Sequence, residues 1–142
     1  MYHSITIGTM NTWANWHLIP VTRPVVSSPA VNEKMIEVPG RNGMLDLTEA
    51  LTGAPTYGDR TGTWEFYVMH DYWSDWATCY STIMNYLHGK KLQVVLEDDP
   101  NYYYEGRLSV QNWNSPKDYS KITIEYKLGP YKTNSSTGTQ SF

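Results

Sequence analysis

The chain is short of cysteine, of phenylalanine and of excess positive charge. Cys79 is its single cysteine, so an internal disulfide framework is excluded. Fourteen Asp and Glu side chains against eleven Lys and Arg leave a formal net charge of −3. Affinity for nucleic acid rests mainly on Lys and Arg neutralising phosphates, so tight DNA or RNA binding is not expected. The opening residues "MYHSITIGTM" carry no basic stretch followed by a long apolar one, so no signal peptide is expected. No run approaches the roughly 18 apolar residues that mark a transmembrane helix. Synthesis in a reducing cytoplasm, without a membrane partner, is the expectation.

Motifs that carry chemistry are also scarce. His3, His17, His70 and His88 are scattered, none in a metal-ligand pair, and a lone cysteine cannot complete a zinc site. There is no G-x-S-x-G elbow and no phosphate-cradling glycine loop. Glu97, Asp98 and Asp99 are adjacent, and three carboxylates can bind Ca²⁺ or serve as acid–base groups. Their spacing matches no EF-hand loop, and a solvated hairpin turn is the favoured reading. A small hydrolase using Asp98, Asp99 and a nearby His has little support without a nucleophile or metal motif. No catalytic residue, metal or cofactor is expected, and the chain is not read as an enzyme.

What the chain has in abundance is Tyr and Trp: twelve and six, against two Phe. These side chains join a large apolar area to a polar tip and suit surfaces that are sometimes wet and sometimes covered. Trp13 lies near Trp16, and Trp73 near Trp76. An exposed pair of this kind on a β-sandwich would suggest a carbohydrate platform for host-surface adhesion, the alternative function. The 142 residues suit a single domain.

Periodicity points to antiparallel β with one helix. "TWEFYVMH" alternates, with Trp64, Phe66 and Val68 on the face expected to be buried. "NEKMIEVPGRNGMLDLT" reads as a hairpin turning at Asn42 and Gly43. In "SDWATCYSTIMNYLHGKK", Trp76, Cys79, Tyr80, Ile83 and Leu87 form a helical stripe. Ser74 is the expected N-cap and Gly89 the left-handed residue after the C-terminus. Cys79 lies on the stripe and reads as a small core residue. "KLQVVLE", "YYYEGRLSVQNW" and "KITIEYKL" form a meander, with a turn at "SPKDYS". The predicted fold is an antiparallel β-sandwich or split barrel flanked by the helix. The domain spans 1–131, and 132–142 reads as a flexible tail.

One stretch fits none of this. "LTGAPTYGDRTG", Leu51 to Gly62, has neither strand nor helix spacing. Connections of such length are uncommon in small domains and often functional. Its glycines cost entropy on ordering, and only Leu51, Pro55 and Tyr57 offer much apolar area.

"VPGRNGMLDLTEALTGAPTYGDRTGTWEF" resembles the N-terminal domain of the distal tail proteins of siphophages, the long, flexible-tailed bacteriophages, with Val38 where that family usually has Ile. The matching positions are Pro39, Gly40 and Gly43; Asp46, Leu47, Thr48 and Leu51; Tyr57 and Arg60; and Trp64, Glu65 and Phe66. "YSTIMNYLHGKKLQVVLEDDPNYYYEGR" resembles the same family's helix, glycine cap, strand and acidic turn. The likeness is co-linear from about Ile5 to Tyr131.

The resemblance implies a tail-tube-protein-like domain with a long extended loop that assembles into a homo-hexameric ring at the virion tail tip. Such a ring docks on the tail tube protein and on the central hub or tip protein, near tape-measure and receptor-binding proteins. DNA passes through its lumen without specific binding. Many members add a C-terminal carbohydrate-binding domain; a short, ring-only member is expected here. Leu51 to Gly62 then becomes an inter-subunit arm, with Leu51, Pro55 and Tyr57 as anchors and Asp59 and Arg60 as orienting charges. Glu97, Asp98 and Asp99 are candidates to line an acidic or neutral lumen.

Overall fold

The structure, a computed structural model, describes residues 3–50, 53–69, 72–73, 75–114 and 120–142, with backbone alone at 112–114. The expected anchor Leu51, the expected cap Ser74 and most of the "SPKDYS" turn lie outside the described residues.

Among the described residues, eleven strands and one helix follow in chain order. They are β1 (Ile5–Ile7), β2 (Met10–Asn11), β3 (Leu18–Pro20), β4 (Met35–Ile36), β5 (Leu45–Asp46), β6 (Arg60–Val68), α1 (Trp76–Leu87), β7 (Lys90–Leu96), β8 (Asp99–Asn114), β9 (Lys121–Leu128), β10 (Lys132–Asn134) and β11 (Gln140–Ser141). The main sheet runs β2-β1-β7-β8-β9-β6-β3, with β10 attached to β8 and β11 to β10. Its pairings are antiparallel, and it curls into a half-barrel. β4 and β5 form a separate two-stranded ribbon. This is the mainly β, one-helix split barrel that the periodicity predicts.

Successive strand residues point to opposite faces, so a strand with alternate apolar residues can bury one side. β6 buries Trp64, Phe66 and Val68, and β9 buries Ile122, Ile124, Tyr126 and Leu128. The register sets these rows side by side: Trp64 opposite Ile124, and Phe66 opposite Ile122. On the other flank of β9, Leu108 sits opposite Tyr126 and Val110 opposite Ile124. The inner face is closed by α1, whose Cys79, Ile83 and Leu87 belong to the same core cluster.

The helix starts where Asp75 caps it, its side chain accepting the Ala77 N–H at 3.0 Å. It ends at Gly89, whose φ of +74° continues the chain in the left-handed region open to glycine. The Gly89 N–H then bonds Leu108 O at 2.7 Å, tying the helix end to β8.

Two expectations are corrected. Trp76 is 49% exposed, so the buried helical stripe is Cys79, Ile83 and Leu87, with Tyr80 partly buried beside it. Residues 132–142 do not form a free tail: Thr133 and Asn134 of β10 pair with Tyr103 and Tyr102 of β8. The outer end of β8 is long enough to have an unpaired edge there, and a polar strand suffices to satisfy backbone groups.

Gly62 is opposite Tyr126 on the buried side of the sheet. The Tyr126 phenol crosses the space a side chain at Gly62 would fill, and its ring stacks on Trp64 at 4.4 Å. A Gly62→Val substitution must push that ring aside. It is expected to destabilise the fold by about 1–3 kcal/mol, the usual cost of overpacking, read as a lower urea midpoint at unchanged m-value.

Candidate assembly surface

Between β3 and β6 the chain leaves the sheet as an arm. Its root is stapled down by side chains of the core strands. Trp64 Nε1 donates to Val25 O at 3.0 Å, and the Ser27 N–H donates to Tyr126 Oη at 2.9 Å. Ser27 Oγ donates to Thr61 O at 2.7 Å. The arm then runs out as a ribbon. The Gly58 N–H bonds Ala30 O at 2.7 Å, Asn32 N–H bonds Thr56 O at 2.8 Å, and Leu47 N–H bonds Lys34 O at 2.7 Å. Val31 bridges Tyr57, and Met35 and Ile36 pair with Asp46 and Leu45.

The expected hairpin is present as β4–β5, but its connection, residues 37–44, is wider than the expected Asn42–Gly43 turn, and Asn42 is not left-handed. Gly40 and Gly43 both have φ of +80° near its tip, where Pro39 is exposed. Asp46 accepts the Thr48 hydroxyl and N–H, which holds its carboxyl below the usual aspartate range. Leu47 is half-buried. The described part of the pattern-free run therefore belongs to a longer feature: Thr56 to Gly58 return along Ala30 to Asn32 through two backbone hydrogen bonds and the Val31–Tyr57 bridge. No alternation marks it because there is no buried face to match. The ribbon carries exposed apolar side chains instead: Val31, Met35, Ile36, Met44 and Leu45, with Met44 50% exposed.

The expected arm residues divide. Pro55 and Asp59 are exposed, Asp59 lying 3.9 Å from Lys127 Nζ. Tyr57 is half-buried within its own subunit, its ring edge-on to Phe142 at 4.8 Å and to Tyr131 at 6.2 Å. Arg60 requires correction as an orienting surface charge, because it is 5% exposed and is the first residue of β6. Its Nε donates to Pro130 O at 3.2 Å and its Nη1 to Ser27 O at 3.0 Å, while its guanidinium lies over the Tyr104 ring. The signal for this was in the sequence. Counting back by two from Trp64 places Gly62 and Arg60 on the buried face. The non-periodic run accordingly ends at Asp59. Of the remaining family positions, Trp64 and Phe66 are core residues, and Glu65 points outward while its carbonyl holds the Val21 N–H at 3.0 Å.

Glu97, Asp98 and Asp99 sit at the β7–β8 turn and point to three different partners. Glu97 accepts the Ser4 N–H at 2.8 Å and its hydroxyl at 2.9 Å. Asp98 pairs with His3 Nδ1 at 2.8 Å, and Arg23 Nε is 4.0 Å away. Asp99 accepts from Lys132 Nζ at 2.6 Å, which raises the lysine's pKa. The turn thus ties the start of β1 and the start of β10 to the sheet. Its carboxylates do not converge, and no cluster of three metal-ligating side chains occurs among the described residues.

Trp16 is 1% exposed, so Trp13 and Trp16 do not form an open stacking platform. A second aromatic cluster replaces that picture: His17 stacks on Tyr72 at 3.8 Å, and Trp73 Nε1 donates to Trp16 O at 2.7 Å. Burial pushes the Cys79 thiol up to about 12, so at neutral pH it keeps its proton and packs as a core side chain.

No protein-family model matches the chain, and no curated protein matches it. Among solved structures, the fold is similar to the crystal structure of SPP1 Dit, described as a paradigm of the hub adsorption apparatus in phages that infect Gram-positive bacteria. The TM-score is 0.69 at 14% identity, over 94% of this chain and 52% of that one. The chain therefore spans about half the length of that protein and shares its fold there.

The Ser4 bonds, backbone first, hold the Glu97 carboxyl below its ordinary value of 4.5. A carboxyl depressed on folding stabilises the protein above its unfolded value, and that contribution is lost as pH falls through the folded value. Thermal melts from pH 7 downward should show the wild type losing an increment of stability below pH 4.5 that Glu97→Gln lacks. Parallel curves for the two proteins would refute this assignment.

Proposed function

We propose that this chain is a structural component of a bacteriophage tail tip. In this reading it forms a homo-hexameric ring that joins the tail tube to the hub and surrounds the DNA exit channel. The observation that carries the reading is the long apolar ribbon standing off a domain with the fold of SPP1 Dit. A ribbon whose apolar residues Val31, Met35, Ile36, Met44 and Leu45 stay exposed in its own subunit has an obvious use in a head-to-tail contact, where one surface meets a different surface on the next copy and rotation closes the ring. The apolar side chains from Val31 to Leu45 supply that contact with area that the small core cannot.

The tail tube protein and the hub protein are the proposed axial partners. Glu97, Asp98 and Asp99 are proposed at the channel wall. Each is already tied to a partner of its own chain, so the turn is rigid and offers no free cation to hold passing phosphates.

The root of the ribbon suggests the test. Ala30 and Gly58 are bonded neighbours, so an Asn-Gly turn can replace residues 31–57 without reaching into β6. The shortened protein should fold, with wild-type near-ultraviolet dichroism, and should stay monomeric in light scattering while the wild type forms rings with a central hole in negative stain. Rings from the shortened protein would overturn the arm. As a milder variant, Met35→Ser with Leu45→Ser should weaken self-association at least tenfold, about 1.4 kcal/mol.

A further inference from the structure

Arg60 is a buried cation without an anion. Its guanidinium has five N–H donors, of which the described bonds use Nε and Nη1, both on neutral carbonyls. Nη2 is buried and has no partner. None of the ion pairs among the described residues includes Arg60. Removing a charge from water is costly unless a counter-charge and well-made hydrogen bonds compensate, and the Tyr104 ring beneath it compensates only in part. Beside it lies a recess of about 340 Å³ lined by Ser28, Pro29, Tyr57, Arg60 and Phe142. Its lining combines the rings of Pro29, Tyr57 and Phe142 with Ser28 and Arg60. That combination suits a carboxylate carried on an apolar segment, because guanidinium and carboxylate match in planar, two-pronged geometry. Phe142 is the wall that can yield: it is 54% exposed and packs on Tyr57 and Tyr131 through ring contacts.

The chain carries such a segment elsewhere. Glu37 is exposed on the ribbon, directly after Met35 and Ile36, and pairs with no cation among the described residues. It cannot reach Arg60 of its own subunit, because an extended strand carries it about 20 Å beyond the Ala30–Gly58 root. Complementary groups that cannot meet within one chain can meet between copies, which is the arrangement a head-to-tail contact requires.

We propose that the Arg60 recess is a carboxylate receptor and that its occupant is Glu37 from the ribbon of a second copy of this chain. This rests on the assembly reading above and gives it a specific lock. The guanidinium, preset by Pro130 and Ser27, gains its counter-charge when the ribbon docks and the Phe142 ring swings out. Before docking the site holds an unsatisfied charge. The monomer therefore carries a penalty that assembly removes.

Sedimentation of the full-length protein provides the test, as a double-mutant cycle. Glu37→Gln and Arg60→Gln should each weaken self-association about tenfold. The double variant should be no weaker than either single one, whereas Glu33→Gln and Glu49→Gln should show no coupling to position 60. Additive effects, or coupling to Glu33 or Glu49 in place of Glu37, would overturn the contact. If Arg60→Gln fails to fold, the Arg60 Nε–H resonance decides. It should move with protein concentration in the wild type and stay fixed in Glu37→Gln; the same movement in both proteins would sink the proposal. A wild type that remains monomeric at every concentration sinks the assembly reading itself, while wild-type association that Glu37→Gln leaves untouched sinks this contact alone.

Discussion

The inner row of β6 and β9 carries the molecule. Trp64 stacked on Tyr126, with Phe66, Ile122 and Ile124 beside them, makes one apolar surface in the same core cluster as Cys79, Ile83 and Leu87 of α1, which packs over the neighbouring strands β7 and β8. Removing that surface from water is the main favourable term for so small a domain. The same row also reaches outward. The Trp64 indole N–H and the Tyr126 hydroxyl are the polar ends of core rings, and they bond Val25 O and the Ser27 N–H at the arm's root. Large aromatic side chains with one polar atom let a buried row hold an exposed segment without leaving a polar group unpaired.

This explains the aromatic bias better than a sugar platform does. Tyr and Trp are used where a core residue must also hold a strand or a loop: Tyr86 Oη donates to Ile7 O and accepts the Thr9 N–H, and Trp73 holds Trp16 O. Phe cannot make these bonds. An arm rooted in this way is positioned by the core yet contributes no core of its own. Its apolar residues Val31, Met35, Ile36, Met44 and Leu45 stay exposed.

The acidic turn follows the same economy. Three adjacent carboxylates would repel one another if they faced a common space. Here Glu97 and Asp98 hold Ser4 and His3 before β1 while Asp99 holds Lys132 of β10, and the turn fastens the N-terminal and C-terminal strands to the same point of the sheet. A cluster that reads as a possible ligand set in one dimension is a tie between two chain segments in space. Arg60 is the opposite case: it reads as a loop charge and proves to be a core residue, anchored by Pro130 and Ser27 on a different part of the chain.

The sequence by itself determined the strand alternation at Trp64, Phe66 and Val68, the helix from its buried stripe and glycine end, the β4–β5 hairpin and the likeness to distal tail proteins. Each of these is local, because period, capping and turn chemistry involve residues a few positions apart. Tertiary structure alone decided the rest. Which tryptophan is buried depends on strands far along the chain, so Trp16 and Trp13 differ although they are near neighbours. Residues 132–142 pair because β8 offers an edge, not because their polar composition favours strand. The stretch around Tyr57 acquired its meaning from its bridge to Val31. A two-stranded ribbon without a buried face leaves no hydrophobic period to read.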